Sequence, residues 1–245
     1  MNKILIEIDE IAHNYRGNVV KLFYNLISFK EYVKKVQETT SKTLKGQASI
    51  VVNPSIQGSQ ILEKEISDFV KSNLDIISAK DFDSPTAYLN KTAILYLDAL
   101  LQSFLDKITD LLYRTGKTTV NTESNGRCIY KKLCKLSDIL PSDQFNCLHH
   151  VLFVGQLRHI ITHTLGLVDK DFIDNCKLNN SNDLIFHLSH LWDDHIWKDE
   201  NEFDKDYQID KRLSIPIERV IFPYIQHSAN FINEYSDASI KLLTS

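Results

Sequence analysis

Arg158, His159 and His163 bring together side chains that can hold an anion and move a proton. An imidazole titrates near neutrality and can take or give a proton at physiological pH. A guanidinium stays charged and presents a planar fork of donors that matches phosphate. Arg158 and His163 therefore have the make-up of an acid–base centre with an anion clamp. Their spacing constrains the geometry: at about 100° per residue on a helix, His163 lies within about 40° of His159 and close to Gln156, whereas Arg158 sits about 140° away. Arg158 must reach round with its long side chain, or meet the histidine of a second copy across an interface.

The helix that must carry these residues is expected from Ser142 to Leu165. Pro141-Ser142 opens it with Ser142 as cap, and Gly166 falls just past the last turn, where a C-terminal glycine belongs. Val154, Leu157, Ile161 and Leu165 share the face that points into the core. Around this helix the chain reads as helical. Apolar positions at threes and fours predict a long first helix over 11–36, with Val19, Leu22, Phe23, Leu26, Phe29 and Val33 on its buried side, and another over 61–74. Ser84-Pro85 starts a further helix, whose dense apolar run from Tyr88 to Leu112 belongs at the centre of a bundle. A polar loop over 115–126 leads to a short basic helix over 128–139. Asp169 or Asp171 starts a short helix, and one or two closing helices occupy 215–243 around Pro216 and Pro223. The β-branched run at 48–52, stopped by Asn53-Pro54, has no partner strand and reads as an extended connector. The expected fold class is all-α: an up-and-down helical bundle over 83–245 preceded by an N-terminal helical extension over 1–82.

The segment Arg158-His159-Ile160-Ile161-Thr162-His163, with its sequel Thr164-Leu165-Gly166-Leu167-Val168-Asp169, resembles the R-x(4–6)-H motif of HEPN domains (higher eukaryotes and prokaryotes nucleotide-binding). In that family a polar residue such as Asn, Asp or His often follows the Arg, and many bacterial members carry a Gly and then Val-Asp after the His. The resemblance covers the chain from about 83 to 235 and leaves the first eighty or so residues unmatched. It implies a HEPN-type bundle that works as a homodimer and cleaves RNA without a metal or other cofactor. His163 would take the proton of a ribose 2′-hydroxyl, and Arg158 would hold the phosphate and offset the charge developing on its oxygens. His159 would orient the pair or touch the RNA backbone. A 2′,3′-cyclic phosphate would result. The resemblance further implies a role in a toxin–antitoxin pair or in phage defence, with an antitoxin or regulatory protein as a further partner. The alternative is a non-catalytic module that binds RNA, a nucleotide or a protein partner through the same surface, because the family includes inactive members.

Composition bounds these readings. The 28 basic and 32 acidic residues give a net charge of −4, which excludes a polycationic nucleic-acid coat, so positive charge for RNA must be local. Lys131, Lys132 and Lys135, near Arg127, are the candidates for one wall of an RNA groove; a plain solvated face is the other reading. Seven Gly and five Pro leave little turn punctuation, which favours long helices over a sandwich or barrel. Cys128, Cys134, Cys147 and Cys176 form no C-x-x-C pair and read as free, reduced thiols. A single Lys3 followed by Glu7, Asp9 and Glu10 does not suit a signal peptide, and charges interrupt every long apolar run, so a cytoplasmic protein without a membrane span is expected. Thr115-Gly116-Lys117-Thr118-Thr119 has Leu111 where a phosphate-binding loop needs its first glycine. His187, His190 and Asp194 share a helix face but lack the Glu of a zinc-protease motif and read as structural. The segment 193–206, with seven acids against two lysines, reads as solvent-exposed.

Overall fold

Apolar residues recurring at threes and fours make this chain helical, and the computed structural model describes residues 2–43, 85–121, 128–163, 172 and 217–245. In order these are α1 (Asn2–Thr43), α2 (Pro85–Arg114), α3 (Ile129–Leu136), a 3-10 turn (Ser142–Gln144), α4 (Leu148–His163) and α5 (Ile217–Thr244). Every regular element among the described residues is helical, as the sparse glycine and proline predict. The expected connector at 48–52, the helix over 61–74, the Ser84 cap, the Gly166 stop, the Thr164–Asp169 sequel, the helix start at Asp169 or Asp171, the His187/His190/Asp194 set and the acidic segment 193–206 lie outside the described residues.

Packing groups Met1–Ile27 with Leu89–Ser245 as one unit and Ser28–Tyr88 as another. The first half of α1 carries Ile8, Val19 and Leu26 into the same core as α2. The Tyr15 hydroxyl lies 2.5 Å from Ser103 Oγ, and its ring meets Phe104 edge-on at 5.8 Å. Arg114 bonds Glu7 at 2.6 Å, and Phe23 meets Phe222 of α5 at 5.4 Å.

The central helix expected over the Tyr88–Leu112 run is α2. Ile94, Leu97, Leu101, Phe104, Leu105, Ile108, Leu111 and Leu112 are all buried, each worth about 1.5–3 kcal/mol relative to exposure. Gly116 ends α2 in a left-handed conformation at φ 72°, with Lys117 N–H donating to Leu112 O and Gly116 N–H to Tyr113 O, both at 3.0 Å. This is the two-bond stop that glycine permits at a helix C-terminus. The Gly-Lys-Thr stretch is therefore a helix cap, which explains its glycine without a phosphate.

α5 is a single helix running through Pro223. Its buried Tyr235 sits among Phe104, Phe145 and Phe231, with ring centroids 5.1–6.0 Å apart. The helix carrying Arg158 starts later than Ser142. Ser142–Gln144 form a 3-10 turn, and Phe145 leaves helical geometry (φ −103°, ψ 110°) to bury its ring against Phe231 and Tyr235. α4 then begins at Leu148, so Ser142 caps nothing in it. Instead the Cys147 N–H donates to Glu234 Oε2 of α5 at 3.2 Å. His150 of α4 stacks on His227 of α5 at 3.5 Å, and Cys147 Sγ lies 3.6 Å from His227 Nδ1. Cys128, Cys134 and Cys147 are free thiols.

Candidate functional site

α4 presents two faces. Val151, Val154, Leu157 and Ile161 are buried, which holds the helix in the core and fixes where its polar face points. On the polar side Arg158 is half-exposed and His163 exposed, while His159 is half-buried. The His159 and His163 rings lie 4.6 Å apart between centroids, as two residues one turn apart on one helix face must. Arg158 points elsewhere: its Nε lies 3.9 Å from Oδ2 of Asp98 on α2.

Asp98 is the residue that sequence reasoning missed. It appears in the chain as a charge interrupting an apolar helix, yet its side chain is only 5% exposed. Gln102 Nε2 donates to the same Oδ2 at 2.6 Å. Burial raises the Asp98 carboxyl above the usual carboxylate range, while the Gln102 hydrogen bond and the positive charges of Arg158 and Lys132 pull it back. Asp98, Gln102 and Asp106 follow one another at four-residue intervals, so α2 turns a polar stripe toward α3 and α4. Asp106 takes the ammonium of Lys132 in an ion pair.

That pair separates the three lysines expected at an RNA groove. Lys131 and Lys135 are exposed on α3, whereas the Lys132 side chain is 7% exposed and committed to Asp106. The reason is register: Ile129, Lys132, Leu133 and Leu136 fall on the buried face of α3. This signal was present in the sequence, at i, i+3, i+4 and i+7.

Arg158 and His159 line one cleft of about 180 Å³, together with Asp98, Gln102, Tyr130 and Gly155. Gly155 keeps it open. A Cβ there would meet Asp98 Oδ1 at 3.8 Å, so the space beside the carboxylate is left by the missing side chain. Chemically the cleft offers a guanidinium, held from behind by a buried carboxylate, and an imidazole beside it. His163 does not line it but reaches it through the His159 ring. An anion at Arg158 would thus sit with two imidazoles to one side.

Among the described residues, no group of three or more His, Cys, Asp or Glu is arranged to hold a metal ion, and no helix is long and apolar enough to cross a membrane. No family model matches the chain, and no curated protein or solved structure matches it significantly.

Proposed function

We propose that the chain is a HEPN-like endoribonuclease that cleaves RNA by attack of a ribose 2′-hydroxyl on the adjacent phosphate. The observation that carries this reading is the convergence of Arg158 and His159 on one cleft, with the His163 ring 4.6 Å from that of His159, one turn on. His163 accepts the 2′-hydroxyl proton, and the 2′-oxygen bonds to phosphorus. Arg158 balances the charge that builds on the phosphoryl oxygens. The bond to the 5′-oxygen breaks, and that oxygen leaves as a hydroxyl with a proton from His159 or water. The products are a 2′,3′-cyclic phosphate and a 5′-hydroxyl. Because an imidazole supplies the base, cleavage is expected to persist with a chelator present.

The separation of Arg158 from His163 around the helix favours a homodimer in which the two polar faces meet, and a role in a toxin–antitoxin pair or phage defence fits an activity of this kind. A second reading is a non-catalytic module that binds RNA, a nucleotide or a protein partner. It is favoured by one observation: the Arg158 guanidinium faces a buried carboxylate and not the exposed imidazole. Purified protein incubated with RNA separates the two. Cleavage lost in both Arg158→Ala and His163→Ala supports the nuclease; cleavage unchanged in either overturns it.

A further inference from the structure

A second cleft, of about 520 Å³, opens between α3, the 3-10 turn and α4. Leu133, Leu148 and Leu152 line it together with Asp143 and His149. Tyr130 and Leu152 line this cleft and also the Arg158 cleft, so the two adjoin across the width of one aromatic side chain. Tyr130 is 44% exposed, so a face of its ring is open to a ligand. A cleft of mixed apolar and polar lining, beside an anion site and walled by an exposed aromatic ring, has the chemistry of a nucleobase pocket.

We propose that this second cleft binds an unpaired nucleobase of the same RNA strand whose phosphate lies at Arg158, with Tyr130 as the stacking platform. The inference rests on the RNA reading above and names its substrate class, single-stranded RNA. A duplex keeps its bases inside the stack, where no protein ring can reach them, whereas a loop or single strand can splay one out. The phosphate contact at Arg158 is indifferent to sequence and to base, so the base pocket supplies the discrimination against paired RNA.

The test is fluorescence anisotropy with a labelled, unstructured RNA of about ten nucleotides and an abasic strand of the same length, against the full chain carrying His163→Ala to prevent cleavage. Adding Tyr130→Ala is expected to weaken binding of the base-bearing RNA roughly five- to hundred-fold, the usual worth of one base stacked on an aromatic ring, and to weaken abasic binding far less. Tyr130→Phe keeps the ring and is expected to keep the affinity. Equal losses with both strands, or a Tyr130→Ala affinity equal to the parent, overturn the base pocket. Cleavage is scored separately with His163 intact. Tyr130-dependent binding without cleavage supports the pocket and overturns only the nuclease; cleavage with Tyr130-independent binding overturns only the pocket; absence of RNA binding overturns both.

Discussion

Arg158 on α4 is held 3.9 Å from a buried carboxylate, Asp98 of α2, which also accepts a hydrogen bond from Gln102. A long cation at a cleft mouth has many rotamers, and a fixed negative charge behind it selects one. In the proposed cleavage Asp98 would therefore act through Arg158 as a positioning residue. In Asp98→Asn the cleavage rate is expected to fall about ten- to hundred-fold, from misplacement of the guanidinium. Stability should change little, because burial already disfavours the charged carboxyl. The acid limb of the rate profile should also move, since ionised Asp98 is what attracts Arg158. A rate and pH profile equal to wild type would show that Arg158 needs no anchor.

Gly155 offers a test of the cleft itself. Gly155→Ala introduces a Cβ at ordinary contact distance from Asp98 and removes a helix-interior glycine, so stability should rise by about 0.8–1 kcal/mol. Gly155→Phe puts a ring into the same space and is expected to abolish cleavage while leaving the helical circular dichroism unchanged. Cleavage by a folded Gly155→Phe protein would place the chemistry elsewhere.

Much of this arrangement was legible in residue spacing, and the misses share a cause. Ile94, Leu97, Leu101, Phe104, Leu105, Ile108, Leu111 and Leu112 of α2 and Val154, Leu157 and Ile161 of α4 are where periodicity puts them, and all are buried. The His159 and His163 rings meet because a four-residue step returns to the same side of a helix. Pro141-Ser142 has the form of a helix opening, but the buried Phe145 ring breaks the chain's path and Glu234, eighty-odd residues away, satisfies the Cys147 N–H instead. By charge alone Asp98 is an interruption of an apolar helix and Lys132 a member of a basic patch. Each pairs with a residue on another helix, and only tertiary packing reveals such partners.

The α4–α5 contact should make stability depend on pH. His227 stacks on His150 and faces the Cys147 thiol, and burial lowers its pKa below the ordinary value of about 6.5, with Glu234 opposing. A histidine that folding keeps neutral contributes stability that is full above the unfolded value and is lost as pH falls through the folded one. Tm is thus expected to drop as pH is lowered from about 7.5 toward 5, and the drop should shrink in His227→Phe. An unchanged pH slope in the variant would assign the effect to another group.

Tyr235 carries a buried hydroxyl with no hydrogen-bond partner among the described residues, and the same burial pushes its phenol pKa up. An orphaned polar group costs stability that its removal restores. Tyr235→Phe is expected to raise stability by about 1 kcal/mol, or roughly 2–4 °C in Tm, with the aromatic contacts to Phe104, Phe145 and Phe231 kept. A lowered Tm would mean that the hydroxyl is satisfied in solution.

The chemistry of the cut ends tests the proposed reaction most directly. Purified protein is incubated with end-labelled single-stranded RNA in excess chelator, and the new 3′ ends are examined. Attack by the 2′-hydroxyl under His163 and Arg158 predicts fragments ending in 2′,3′-cyclic phosphate, absent with His163→Ala. Intact RNA with the folded wild-type protein, ends bearing a 3′-hydroxyl, or the same fragments from His163→Ala would contradict it.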